Sequence, residues 1–274
     1  MNNAYRIIGD FHTHTIASQH AYSTIYENLV AAKRQGLVAL AITDHGPEMM
    51  DGAIRHHFFC MTGLPKNPEG IRLYRGCEAN IKSFSGRLDL DDRVLGRLEW
   101  VIASYHVEAI EPGTVEQNTE GWLSVIANQW VDLLGHPGNP AYPFDHVAVV
   151  KALRDTGKAL EINANSFAIR PGSEPNCRDL MRLCRQYDVP VCVDSDAHNM
   201  WAVGNVKAAL DILEDEQFPP ELILNADFNR IDSYIERRKK EKAQYRFLWD
   251  EAKAQGTIGV EKKGMRPQTC KHPN

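Results

Sequence analysis

The chain has 274 residues, of which 43% are hydrophobic and 24% charged, with a formal net charge of −5 and an isoelectric point near 6.1. This balance excludes global disorder and argues against a general nucleic-acid or membrane-surface binder. The length suits one α/β barrel.

The N-terminal stretch lacks a basic segment followed by a long apolar one, so no signal peptide is expected, and no run approaches the roughly 18 apolar residues of a membrane span. Residues 5–9 form a short apolar run that predicts a first buried strand. A helix is expected over 22–35, with Ser23 as its cap and Gly36 as its stop. Further strands are predicted at 38–43, 71–77, 100–104, 130–134, 159–162 and 189–193. Most are near-continuous apolar runs, as expected for parallel strands covered on both faces. Residues 62–70 and 135–143 read as loops. Asp145 is placed to cap a helix that buries Val147, Val150 and Leu153 and ends near Gly157. Asn176 is placed to cap another, with Leu180, Leu183, Cys184 and Tyr187 on one face. A charged helix is expected from Phe228 to about Trp249, its RRKKEK run (237–242) read as a solvated face rather than a nucleic-acid patch. Residues 1–250 are taken as one domain and 251–274 as a flexible tail.

Strand, loop, helix and strand recur about every 30 residues, the rhythm of βαβ units. Seven units predict a closed or nearly closed barrel, with an open doubly wound sheet as the alternative. The six cysteines (Cys60, Cys77, Cys177, Cys184, Cys192 and Cys270) form no CxxC pair, and they read as reduced thiols of a cytoplasmic protein.

Histidines and acids cluster where these strands end. The first is followed by Asp10, His12, His14 and His20; the second by Asp44 and His45; the third by Glu78. The fourth leads to His106, the fifth to His136, and the seventh to Asp194, Asp196 and His198. Parallel barrels bring all such ends to one mouth. Side chains alternate along extended backbone, so His12 and His14 point the same way, as do Asp196 and His198. Imidazole and carboxylate ligands suit Zn²⁺, Mn²⁺ and Fe²⁺. Nine candidates (His12, His14, His20, His45, Glu78, His106, His136, Asp196 and His198) are too many for one ion, so two or three ions are expected, bridged by Glu78 or Asp196. Asp10, Asp44 and Asp194 are read as acids that orient imidazoles. His56, His57, His146 and His272 lie off the pattern and read as structural or exposed.

The segments DFHTH, ITDHG, GCEANI, ASYH, LGHPG, EINANS and VDSDAH, in this order, resemble the PHP (polymerase and histidinol phosphatase) family over about residues 5–225. The stand-alone bacterial phosphatases of the YcdX type are most similar. The resemblance implies a distorted (βα)₇ barrel and a centre of three divalent ions, commonly zinc, with manganese or iron as alternatives. It assigns His12, His14, Glu78 and Asp196 to one ion, Glu78, His106 and His136 to a second, and His20, His45 and His198 to the third. One departure is the stretch Asn163-Ala164-Asn165-Ser166, where similar proteins tend to read Asn-Asn-Ser-Ser.

The expected reaction is phosphate-ester hydrolysis by a metal-activated hydroxide, with a small phosphorylated substrate contacted by Arg170, Asn163 and Ser166. Two alternatives are an amidohydrolase-like C–N or lactone hydrolase and a non-catalytic, metal-binding polymerase-accessory module. The first commonly needs a carboxylated lysine, and no lysine ends strands three to five. Nucleic acid is a disfavoured partner, a membrane is not expected, and a homo-oligomer is left open.

Overall fold

The computed structural model describes residues 5–254. Seven parallel strands follow one another in chain order: β1 (Gly9–Asp10), β2 (Ala39–Ile42), β3 (Arg72–Asn80), β4 (Trp100–Ser104), β5 (Leu133–Leu134), β6 (Ala159–Asn163) and β7 (Val191–Asp194). The intervening chain supplies α1 (Ile25–Arg34), α2 (Arg55–Cys60), α3 (Asp92–Leu95), α4 (Val115–Ala127), α5 (His146–Thr156), α6 (Ser166–Ile169), α7 (Ser173–Tyr187) and α8 (Lys207–Asp215). A last helix, α9 (Phe228–Ala254), follows.

The two edges of this sheet meet. Thr13 bridges to Ala197 in parallel, and the His14 amide donates to the Ala197 carbonyl at 2.8 Å. Lower down, the buried side chain of Asn225 stands in for a strand. Its Nδ2 donates to the carbonyls of Gly9 (2.9 Å) and Val193 (2.7 Å), and its Oδ1 accepts from the Val193 amide. Both edges therefore have their hydrogen bonds satisfied without an eighth strand. The molecule is a nearly closed (βα)₇ barrel, and the open-sheet alternative falls.

Strand alternation separates two cores. Phe11, Ala39, Ala41, Tyr74, Trp100 and Ile102 fill the barrel, while the opposite faces pack beneath the helices. Phe11 lies edge-on to Trp100, and Trp100 to Tyr234 of α9, so aromatic rings plug the interior down to the floor.

Several sequence expectations change. The apolar run at 5–9 yields only two strand residues, because the Ile8 amide is taken by the Asn225 carbonyl and the Tyr5 hydroxyl ties the segment to Leu213 and Phe218. Likewise β5 keeps only two residues: ahead of it the Val101 amide of β4 donates to the Asp132 carboxylate, and the Trp130 amide donates to Asn128 Oδ1. The cap of α1 is Thr24, which forms a reciprocal capping box with Glu27; Ser23 is buried and accepts from the Met200 amide instead. Asp145 caps α5, and Gly157 ends it in the left-handed region, as read from the sequence. Val147, however, expected inside with Val150 and Leu153, is 40% exposed, and Val149 is buried in its place. For α7 the start is Ser173, three residues before Asn176, since Pro175 is tolerated in a first turn where its missing N–H is not needed. The loop expected at 62–70 contains two short 3₁₀ turns.

The RRKKEK run is also corrected. Tyr234, Arg238 and Lys242 lie four residues apart on one face of α9, and all three turn inward. Arg238 Nε and Lys242 Nζ hold the Asp132 carboxylate at 3.1 and 2.5 Å, and the Tyr234 hydroxyl donates to the Asp132 carbonyl. Two of the run's six residues thus form a buried ionic clasp on the barrel floor. Five cysteines (Cys60, Cys77, Cys177, Cys184 and Cys192) are free thiols. Residues 251–254 of the expected tail continue α9, and the rest of it, with Cys270 and His272, lies outside the described residues.

Candidate metal centre

All nine residues expected as ligands converge at the mouth formed by the strand C-termini. The long β3 carries Glu78 into the centre of that mouth, and the Glu78 backbone locks the neighbouring loop by accepting from Gly46 N and donating to the Asp44 carbonyl.

The Glu78 carboxylate divides the site. Oε1 lies 2.8 Å from His136 Nε2 and 3.3 Å from His106 Nε2. Oε2 lies 2.7 Å from His45 Nδ1, 3.2 Å from His12 Nε2 and 3.6 Å from His14 Nε2. Asp196 Oδ1 forms a second acidic point, 3.2 Å from His14 Nε2 and 3.6 Å from His12 Nε2. His20 Nε2 meets His198 Nε2 at 2.9 Å, and His106 Nε2 meets His136 Nε2 at 3.2 Å.

Outer partners fix which ring nitrogen faces inward. His12 Nδ1 bonds Glu161 Oε1 (2.6 Å), His20 Nδ1 bonds Asp51 Oδ2 (2.7 Å), and His198 Nδ1 bonds the Asp196 carbonyl (2.9 Å). His106 Nδ1 bonds Asn80 Oδ1 at 2.7 Å, with Asn80 Nδ2 directed to Gly46 O and Asp89. Each partner is an acceptor, so each Nδ1 donates, and in the neutral ring each Nε2 offers its lone pair to the mouth.

Electrostatics follow from this packing. Burial works to raise the Glu78 and Asp196 carboxyls, yet adjacent imidazoles, His12 foremost, hold both well below the usual range. Burial opposes charge on His12, but Glu161, Glu78 and Asp196 together raise its pKa well above normal. These acids call for positive charge among them. Burial, with His45 and His198 nearby, drives His14 well below normal; burial and the Arg170 charge push His136 down to about 3. Such rings stay neutral, the form that ligates metal.

Two of these residues adopt backbone that L side chains rarely take: His136 at φ +31° and Asp196 at φ +54°. Just before His136, Gly135 lets the chain pass close to β4, because a Cβ there would lie 2.1 Å from Ser104 Oγ.

The mouth opens into a cleft of about 740 Å³ whose walls include Met49, Val107, Ile169, Asn165 and Arg170. Arg170 Nη1 contacts Ser166 Oγ at 2.9 Å and Asp196 Oδ2 at 3.5 Å. Asn163 and Ser166, expected to touch substrate, are buried behind this wall. Asn163 spends its amide on Glu161 and Asp196, and its Oδ1 accepts from Ser166.

The three aspartates expected to orient imidazoles of the site do other work. Asp10 accepts from Ser195 and Gly204, and Asp194 from the Phe11 amide and Asn225. Asp44 holds the loop bearing His20 through Thr15 and Ser18, and also bonds His57 at 3.1 Å. The orienting groups are instead Glu161, Asp51 and Asn80. Glu161 stands inside the EINANS segment, but nothing in a linear reading shows which face it occupies. Of the off-pattern histidines, His146 pairs with Asp179, and His56 lies against Cys60.

The donor set fits divalent cations. Among the described residues, His12 Nε2, both His14 ring nitrogens, His45 Nδ1, Glu78 Oε2 and Asp196 Oδ1 are buried without a hydrogen-bond partner, a costly arrangement unless something else satisfies them. Three groups have ligand atoms within 4.8 Å of one another: His12–His14–Asp196, His45–Glu78–His106 and His14–His45–His198. The third replaces His20 of the expected set with His14; His20 and His136 join through their contacts with His198 and His106.

A seven-stranded α/β barrel with a histidine- and carboxylate-lined mouth is an enzyme scaffold built for divalent metal. Residues 10–165 match the PHP domain family and residues 175–223 a PHP-associated region. The chain belongs to the PHP family. It is 41% identical over 235 residues to a probable phosphatase of Acetivibrio thermocellus, covering 86% of this chain and 98% of that one. A probable phosphatase of Caldanaerobacter subterraneus subsp. tengcongensis is 44% identical over 237 residues, covering 86% and 93%. Among solved structures, histidinol phosphate phosphatase of Lactococcus lactis subsp. lactis, complexed with zinc, L-histidinol and phosphate, superposes with a TM-score of 0.54 at 18% identity, over 77% of this chain and 94% of that one. A chain of archaeal ribonuclease P with mature tRNA gives the same TM-score at 14% identity, over 96% and 100%. At such identities these two likenesses speak to fold alone.

Proposed function

We propose that this protein is a metal-dependent phosphatase acting on a small phosphorylated substrate at a centre of three divalent cations, zinc foremost, with manganese or iron as alternatives. The observation that carries this reading is the convergence of unpartnered, inward-facing nitrogen and oxygen atoms on both sides of the Glu78 carboxylate. His12, His14, Glu78 and Asp196 are assigned to one ion, Glu78, His106 and His136 to a second, and His20, His45 and His198 to the third.

Bound cations would supply Lewis acidity, lowering the pKa of water and neutralising phosphoryl oxygens. The chain supplies the rest. Glu78 and Asp196, held ionised, bind and separate the positive charges. Arg170 stands at the cleft wall beside Asp196, where its fork can take two phosphoryl oxygens. Met49, Val107 and Ile169 offer an apolar wall to the leaving group.

The curated relatives named phosphatases support this reading over a C–N or lactone hydrolase. So does the position of Lys158, which immediately precedes β6 at the far end of the barrel and bonds the carbonyls of Ile126 and Asn128. The filled ligand positions disfavour a non-catalytic module. Free thiols support a cytoplasmic location, and no helix among the described residues is long and apolar enough to cross a membrane. We take the chain up to about residue 250 as one domain, since α9 is built into the barrel floor.

The test is elemental analysis of the purified protein together with phosphate release from sugar phosphates, nucleotides and amino-alcohol phosphates. Bound divalent metal with turnover of at least one ester is the expected result. Turnover of dihydroorotate or a lactone, with every ester inert, reverses the assignment.

A further inference from the structure

Glu161 is fully buried in β6, faces no open part of the cleft, and is not one of the expected ligands. Its two oxygens nevertheless serve two different ligands. Oε1 accepts from His12 Nδ1 at 2.6 Å, and Oε2 accepts from the backbone amide of His136 at 2.5 Å. The two rings stack with centroids 6.2 Å apart.

The first bond makes His12 Nδ1 the donor and so makes Nε2, beside Glu78 Oε2 and Asp196 Oδ1, the nitrogen that would face a cation. The second anchors the peptide that enters His136 in its left-handed conformation, aiming His136 Nε2 at Glu78 Oε1. One carboxylate therefore orients a ligand on each side of Glu78. Without the first bond His12 is free to present an N–H to a cation; without the second, the strained His136 backbone is free to relax.

We propose that Glu161 is a positioning residue that makes two ion positions of the centre interdependent, one served by His12 and the other by His136. The proposal rests on the metal-centre reading above and not on the identity of the substrate. A glutamine cannot replace Glu161, because its single acceptor oxygen can serve His12 or His136 but not both, and its NH₂ opposes whichever donor remains. An aspartate keeps two acceptors but is one methylene shorter, so it meets both donors at longer range.

The experiment is a Co²⁺ titration of metal-stripped protein followed by the ligand-field absorption and by chelator competition, with His12→Ala as the single-position control. Circular dichroism of the stripped variants reports folding, and phosphate release is measured separately. Glu161→Gln is expected to weaken two ion positions together, each by roughly 10–100-fold, with Glu161→Asp weakening both by less. His12→Ala should weaken one position far more than the other. Parental affinities in whichever Glu161 variant folds, or a loss confined to the His12 position, overturn the proposal. Failure of both variants to fold without metal also overturns it, since Glu161 is then a structural residue. If no ester is hydrolysed, the titration still reads, and the phosphatase assignment fails alone.

Discussion

His20 Nε2 and His198 Nε2 face each other at 2.9 Å, and both rings have already committed Nδ1 as a donor, to Asp51 and to the Asp196 carbonyl. Two lone pairs at that distance repel unless a cation or an added proton lies between them. Divalent metal should therefore stabilise the fold, because it binds the assembled mouth and not the unfolded chain. Scanning calorimetry should show Tm falling by several degrees on chelation and returning with Zn²⁺. An unchanged Tm in protein shown to have lost its metal speaks against the centre.

Glu78→Ala removes the carboxylate whose two oxygens serve the two halves of the site. It should cost more than the roughly 10–100-fold loss typical of an outer partner and should lower metal content with activity. His146→Ala, which breaks only an outlying pair with Asp179 on α7, should leave both unchanged. Metal analysis and turnover of the two variants decide the point.

Arg170→Met keeps the aliphatic stem but loses the guanidinium fork. Charge-assisted bonds to a phosphoryl group are worth about 1.5–3 kcal/mol, so kcat/KM should fall roughly 10–100-fold at full metal content. Steady-state kinetics on the best ester, with metal quantified, separates this from damage to the centre. Loss of metal instead of catalytic efficiency would place Arg170 with the scaffold.

Asp132→Ala strips Lys242, 1% exposed, of its counter-charge, and leaves Arg238, 4% exposed, with Glu241 alone. Leaving a buried cation unpaired should cost about 3–5 kcal/mol, measurable by urea unfolding of the metal-loaded protein. Lys242→Met leaves the Arg238–Asp132 pair in place and should cost less.

Burial, with the Arg238 charge adding to it, lowers the Lys158 ammonium to about 7. In the unfolded chain the same group holds its proton to about 10.4. Between these values the unfolded state binds more protons, so this group makes stability rise with pH; below about 7 both states are protonated and its contribution is flat. Wild-type protein should gain more stability between pH 7 and 9.5 than Lys158→Met, read from urea midpoints at both pH values. Parallel gains in the two proteins would show that Lys158 keeps an ordinary pKa.

Local sequence determined the parts of this protein whose information is local. Apolar runs of four to seven residues located the strands, Asp145 and Gly157 marked a helix, and the chemistry following the strands announced the mouth. Because parallel strands all deliver their ends to one side, nine dispersed side chains could be grouped before any coordinates existed. Tertiary structure alone decided which distant residues complete them. Glu161 reaches His12 across 149 residues, Lys242 reaches Asp132 across 110, and Asn225 closes the barrel against Gly9 across 216. No periodicity encodes such pairings, since a hydrogen bond depends on where two backbones lie in space and not on their separation along the chain. The same reason explains Arg238 and Lys242: a run of charges looks solvated until the fold supplies the buried carboxylate that lets two of them leave water.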